Sequence, residues 1–294
     1  MITSTQPRLF VTGASGQLGQ LVIDALLKRA PLGTTVAGVR SLDGDAAKGL
    51  RARGIEVRSA NYDQPEVLAA AFRGIDRLLL ISASEIGVRV EQHRNVIDAA
   101  KKAGVGLIAY TSLLRADTSP LSLAEDHRQT EAALKVSGLP FVLLRNGWYT
   151  ENYAASIKPA LANGAFFGCA GNGRIASATR GDYAEAAAVV LTTDNQAGLE
   201  YELAGDDAYT LTEFATAIAA ESGRPVVYRD LSELEFEAVL LKAGLPEELV
   251  GLLTNSDAGV ARGGLDDSGH ELSSLIGRPT TPYQTVIRQV CSAS

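Results

Sequence analysis

Short apolar runs alternate with stretches of helical period through the first half of the chain. "RLFVTG" (8–13), "TTVAGV" (34–39), "IEVRSA" (55–60), "RLLLIS" (77–82), "GLIAYTS" (106–112) and "PFVLLRN" (140–146) read as strands. They are apolar on both faces, the pattern of buried parallel strands rather than of half-exposed hairpins. Helical periodicity fills the intervals near 17–30, 43–53, 65–73, 87–103 and 122–137. Gly54, Gly74, Gly104 and Gly138 stand where those helices should stop. The alternation predicts an α/β fold built on a Rossmann-type, doubly wound parallel sheet.

Beyond residue 146 the pattern changes. "NGWYTENYAASIKPALANGAFFGCAGNGRIAS" is rich in Gly, Asn and aromatics and reads as loop, short helix and hairpin. "DYAEAAAVVLTT" (182–193) is again helical, and "LEYELAG" (199–205) reads as a late strand of the first sheet. "TLTE" (210–213) and "SELE" (232–235) are capping boxes that open helices. "GRPVVYRDL" (223–231) lies between them as a strand, whereas residues 253–270 show no clear period and read as a loop beside a cleft. These elements predict a large domain over 1–146, rejoined by 182–205. A smaller α/β lobe is expected from 147–181 and 206–294.

Composition narrows the function classes. A chain of 294 residues, 46% hydrophobic and 21% charged, can build a substantial core without disulfides or metal. A formal charge of −7 argues against a nucleic-acid partner, which would require a basic stripe. Two cysteines, Cys169 and Cys291, cannot form a four-ligand metal site. The opening "MITSTQPRLF" carries no apolar run, so neither export nor membrane insertion is expected and the location is read as cytoplasmic.

The strongest motif is "VTGASGQLGQLVIDALL", which follows the first strand and opens a helix. Gly13, Gly16 and Gly19 have the spacing of a turn that brings backbone close to a pyrophosphate at a helix N-terminus. Gly13, Ala14, Ser15, Gly16, Gln17, Leu18 and Gly19 are therefore the first candidate cofactor contacts. Arg40 ends the second strand, where an acidic residue would hold the ribose 2′-hydroxyl of NAD. A guanidinium there can bind a 2′-phosphate, which points to NADPH. The alternative is a solvated loop arginine, and Asp43 nearby weakens the phosphate reading.

The glycine spacing, Arg40, "LLLISASE", "AYTSLLRADTSPL" and "LLRNGWYTENY" together resemble the NmrA-like branch of the atypical short-chain dehydrogenases, and more narrowly its quinone- and dye-reducing members. The resemblance runs over essentially the whole chain. It implies NADPH between a Rossmann domain and a small substrate lobe, with neither metal nor flavin. Ser82, Ala83 and Ser84, after the fourth strand, would then pass the cofactor ribose. Asn61 stands where the family often has Asp near adenine, which leaves that contact open.

Catalytic short-chain dehydrogenases usually carry Tyr-x-x-x-Lys, often with Glu four residues after the lysine. Aligned on Glu131, the pattern puts His127 at the lysine and Leu123 at the tyrosine, and no tyrosine of the chain has a lysine four residues later. Ser112 holds the position of the family's serine without that partner. A quinone tolerates this loss, because it accepts hydride directly and needs mainly to be held against the cofactor. The expected activity is NADPH-dependent two-electron reduction of quinones or similar electron-poor aromatics. The alternative is a non-catalytic NADP(H)-sensing regulator, and a homodimer is compatible with either.

His127 has two readings here. It is a site residue that bonds the nicotinamide ribose or donates a proton, or it is an exposed helix histidine. His93 falls at helical spacing with Val90, Ile97 and Ala100 and reads as a core-edge residue. Asn146 can offer its amide to the nicotinamide. Trp148, Tyr149 and Tyr153 read either as a flat wall for an aromatic acceptor or as packing. Of these, His127, Asn146 and Tyr149 are the candidates for chemistry.

Overall fold

The computed structural model describes residues 6–85 and 87–292. In chain order it begins β1 (Leu9–Val11), α1 (Gln17–Leu27), β2 (Thr35–Val39), α2 (Asp45–Ala52), β3 (Glu56–Ser59) and α3 (Pro65–Ala71). There follow β4 (Arg77–Leu80), α4 (Arg89–Ala103), β5 (Leu107–Leu113), α5 (Ala124–Ser137) and β6 (Phe141–Asn146). The chain continues through α6 (Thr150–Ala154), α7 (Ile157–Asn163), β7 (Ala165–Gly168), α8 (Arg180–Thr192) and β8 (Glu200–Leu203). It ends with α9 (Leu211–Ser222), β9 (Val227–Asp230), α10 (Glu233–Lys242), α11 (Glu247–Ala261), α12 (Glu271–Ile276) and α13 (Tyr283–Ser292).

Two compact units share these elements. The first comprises the chain through Leu113, Glu125–Asn146 and Arg180–Tyr201; the second comprises Leu114–Ala124, Gly147–Thr179 and the chain from Glu202 on. Seven strands form one sheet in the order β3-β2-β1-β4-β5-β6-β8. The order reverses between β1 and β4, so this is a doubly wound sheet with its crevice at the carboxyl ends of those strands. Leu143 donates its amide to Leu199 O and Gly147 donates to Leu203 O, a parallel register for β8. Phe10, Leu78, Leu80, Ile108, Tyr110 and Leu143 alternate along four strands and meet α3, α4 and α5 in one core. On α4 the buried positions Arg89, Gln92, His93, Val96, Ile97, Ala99 and Ala100 repeat at helical spacing.

In the second unit two sequence expectations fail. The hairpin expected within the aromatic stretch is absent among the described residues, because β7 pairs instead with β9, in parallel, from Ala165↔Val227 to Gly168↔Asp230. The loop expected over 253–270 is helical as far as Ala261. Its inward face mixes polar residues with Val250, Ala258 and Val260, which obscures the apolar period. Thr254, Ser256 and Asp257 are buried. The Ser256 hydroxyl donates to Leu252 O at 2.7 Å, and Asp257 accepts from partners described below. The capping boxes form as expected, Thr210 with Glu213 and Ser232 with Glu235.

Candidate functional site

The carboxyl ends of β1, β2, β4, β5 and β6 share one edge of the sheet, and the first unit's candidate residues follow from them. Gly13 has φ +57°, the left-handed region that favours glycine. A Cβ on Gly19 would stand 2.3 Å from Gly13 O and 2.7 Å from Ala14 Cα, so only glycine allows α1 to start this close to the turn. Ala14 donates to Gly38 O and Gly16 to Gly13 O, which locks the turn. Gly16 is the N-cap of α1 with no side-chain cap, and the first turn contains no acid. Its amide end therefore meets an incoming anion without an internal competitor.

Ser82, Ala83 and Ser84 leave β4 in a loop held from several sides. Ser82 donates its amide to Thr111 Oγ1 at 2.8 Å. Ala83 donates its amide to His93 Nε2 at 2.9 Å and accepts at its carbonyl from Arg89 Nε at 2.6 Å. Because Nε2 accepts, the proton of His93 lies on Nδ1 and is donated to Thr130 Oγ1 at 2.9 Å; that hydroxyl donates to Asp126 O. Arg89 Nη1 reaches Asp126 Oδ2 at 3.1 Å. His93 thus sits fully buried in the core and not at its edge, with both ring nitrogens used.

His127 is also buried, at 7% exposure, which rules out the solvent-exposed reading. Ala124, His127, Thr130, Glu131 and Leu134 form the inward face of α5 at spacings of three and four. His127 Nδ1 is 2.8 Å from the Tyr110 hydroxyl, and Nε2 has no hydrogen-bond partner among the described residues. Burial, with the charge of Arg89 added, pulls His127 and His93 down to about 3. Both rings are neutral at physiological pH. Burial raises the Tyr110 phenol well above its ordinary range, so it too stays uncharged.

Ser112 and Arg145 are register partners on β5 and β6, and both reach Glu131. The Ser112 hydroxyl donates to Glu131 Oε1 at 2.6 Å; Arg145 donates Nε to Oε1 at 3.0 Å and Nη2 to Oε2 at 2.7 Å. Ser112 can therefore only accept from a further partner. Asn146 ends β6, and its buried Oδ1 has no hydrogen-bond partner among the described residues. Arg40 is 67% exposed and pairs with Glu85 Oε1 at 2.5 Å. Asn61 caps its own turn by accepting from the Asp63 amide at 3.2 Å.

The second unit holds the remaining candidates. Tyr149 is half-buried and precedes α6. Trp148 and Tyr153 are buried at 8% each, with ring centroids 6.3 Å apart, and Tyr153 continues to Phe166 and Phe214. For these two rings packing is the outcome. Tyr153 donates its hydroxyl to Asp257 Oδ1 at 3.1 Å, and the Cys169 amide donates to Oδ2 at 3.0 Å. Sequence reasoning passed over Tyr110, Arg89, Arg145 and Asp257. For Tyr110 the only available signal was its position two residues before Ser112 on the same strand.

Residues 13–194 match the NAD(P)H-binding family. The chain is 54% identical over 271 residues to quinone oxidoreductase 2 of Escherichia coli K12, covering 92% of this chain and 94% of that protein. Among solved structures, the NADPH-dependent quinone oxidoreductase from E. coli complexed with NADPH is similar with a TM-score of 0.93 and 51% identity. That match covers 96% of this chain and 99% of the other. The Citrobacter triphenylmethane reductase complexed with NADP(H) follows at a TM-score of 0.92 and 36% identity, over 96% and 99%. Among the described residues no helix is long and apolar enough to cross a membrane, and no group of three His, Cys, Asp or Glu could hold a metal ion.

Proposed function

We propose that this chain, which belongs to the NAD(P)H-binding, NmrA-like family, is an NADPH-dependent oxidoreductase that reduces quinones by two electrons through direct hydride transfer. The observation that carries the reading is the uncapped glycine turn, whose Gly19 admits no side chain, in a chain 54% identical to a quinone oxidoreductase. The residues present suit a dinucleotide. Amides from Gly13 to Gly19 would hold the pyrophosphate and Arg40 the 2′-phosphate. Ser82, Ala83 and Ser84 would follow the ribose. The orphaned Oδ1 of Asn146 would accept from the carboxamide. When bound, NADPH supplies the hydride.

Within this reading His127 is a positioning residue. A ring held neutral down to about pH 3 has no imidazolium proton to give near neutrality. It can still bond a ribose hydroxyl through Nε2. Ser112, whose proton is engaged by Glu131, could accept from the cofactor but not protonate a carbonyl. Without Tyr-x-x-x-Lys, the reduced quinone takes its protons from water or from another acid. Tyr149 is the candidate contact for the aromatic acceptor.

The test follows absorbance of NADPH on mixing purified protein with a simple benzoquinone. Oxidation well above the uncatalysed rate is expected. If NADPH binds yet no acceptor is turned over, the reading fails in favour of a non-catalytic NADP(H)-sensing protein.

A further inference from the structure

Arg40, the proposed 2′-phosphate ligand, already faces a carboxylate. Glu85 Oε1 lies 2.5 Å from its Nη2, while Glu85 Oε2 accepts from Gln92 Nε2 at 2.7 Å. Gln92 is buried at 2% on α4, and the same Nε2 donates to Asp63 Oδ1 at 3.0 Å. Its orientation is fixed by chemistry, because a flipped amide would aim oxygen at two carboxylates. Glu85 is thus held through both oxygens. Its backbone lies two residues beyond Ala83, which is clamped by His93 and Arg89. This arrangement is more built than a pair of freely moving surface side chains. Gln92 first and Arg40 second hold the Glu85 carboxyl below its usual range, so it is ionised at neutral pH.

The electrostatic consequence opposes the role given to Arg40. A 2′-phosphate brings up to about two negative charges to a guanidinium whose charge Glu85 already balances. It must share or displace that carboxylate, whereas a dinucleotide with a free 2′-hydroxyl brings no such charge. Resting on the Arg40 reading above, we propose that Glu85 is a specificity-determining residue. It attenuates the preference for 2′-phosphorylated cofactor and so lets the site take NADH as well as NADPH.

Direct binding separates this inference from catalysis. Calorimetry with 2′,5′-ADP and 5′-AMP would compare the unaltered protein, Glu85→Gln and Arg40→Ala at low and high salt. Glu85→Gln keeps the hydrogen-bonding shape and removes the charge. It should tighten 2′,5′-ADP by about three- to tenfold at low salt, with the gain shrinking as salt screens it, and should leave 5′-AMP nearly unchanged. Arg40→Ala should abolish the difference between the two ligands. Weaker 2′,5′-ADP binding by Glu85→Gln, or an equal change for both ligands, overturns the proposal and leaves Arg40 standing. Unchanged 2′,5′-ADP binding by Arg40→Ala overturns the Arg40 reading and this inference together.

Discussion

Each compact unit buries ionisable groups, and the two respond to acid in opposite directions. In the first, His93 and His127 sit against Tyr110, with ring centroids 5.4 and 5.8 Å from it. In the second, Asp257 is enclosed by Tyr153 and the Cys169 amide. Burial dominates all three and disfavours the charged form each time. For the histidines that means losing a proton, with pKa values pulled from 6.5 down to about 3. For Asp257 it means keeping one, with a pKa raised from 3.8 to about 6. One physical cause therefore yields opposite pH signatures in two parts of one chain.

The largest expected effect is acid destabilisation of the first unit. Between about pH 6.5 and 3 the unfolded histidines bind protons that the folded ones refuse. Their contribution is complete above pH 6.5 and is lost as pH falls toward 3. At one pKa unit per 1.36 kcal/mol, each histidine should cost on the order of 3 kcal/mol by pH 4. Hydrogen exchange resolved by peptide, at pH 7 and pH 4.5, reads this unit by unit. Protection around β5 and α5 should fall with acid, and His93→Gln should flatten that dependence even though it lowers stability overall. An unchanged slope in the variant would show that other groups set the acid response.

The Asp257 contribution has the reverse sign. A carboxyl with a raised folded pKa stabilises fully below pH 3.8, and that stability is lost as pH rises through about 6. Asp257→Asn mimics the protonated acid: its oxygen can accept from Cys169 while its NH2 donates to Tyr153. The variant should be more stable than the unaltered protein at pH 7.5, by about 1–3 kcal/mol, and equal to it near pH 4. A variant less stable at both pH values would mean that the charged carboxylate is preferred in the fold. The neighbouring Cys169 thiol, pushed up to about 12 chiefly by burial, should stay unmodified by thiol reagents at pH 8.

The contrast between units also marks what could be read from sequence. The six strands and five helices before residue 146 were legible, because five of those strands are buried continuous apolar runs and glycine follows α2 to α5. β3, expected to be apolar on both faces, is instead the half-exposed edge strand of the sheet, so it keeps Glu56 and Arg58. The glycine turn was legible because it is local. The second unit was not, since β7 and β9 are 62 residues apart from Ala165 to Val227 and pair in parallel, for which no short turn signal exists. The inward face of α11 can carry Asp257 because that carboxyl is satisfied by Tyr153, 104 positions away. In the site itself, the pairing of Arg40 with Glu85 and of Tyr110 with His127 depends on folded geometry. Residue type singled out Arg40 at a strand end and His127 on a helix, but gave no sign of their partners Glu85, in the loop after β4, and Tyr110, within β5.

Catalytic measurements sharpen the assignment of the histidines. If His127 positions cofactor as a neutral ring, His127→Ala should raise KM for NADPH about tenfold and leave kcat within a few-fold. The kcat profile of the unaltered protein should then show no break attributable to His127 between pH 5 and 8. A collapse of kcat at unchanged KM would restore a proton-donor role.

The smallest effect belongs to Tyr110→Phe, which keeps the ring and removes the hydroxyl 2.8 Å from His127 Nδ1. Losing one neutral hydrogen bond in a buried setting costs about 1–2 kcal/mol, less if Nδ1 finds another partner. Turnover should barely change, while KM for NADPH should rise less than in His127→Ala, because the imidazole remains but no longer has its ring orientation fixed. The double variant Tyr110→Phe/His127→Ala should then match His127→Ala alone, since an orienting group has nothing to act on once the ring is gone. If the two changes instead add, Tyr110 touches the cofactor independently, and the first unit's buried cluster contributes two contacts to the site.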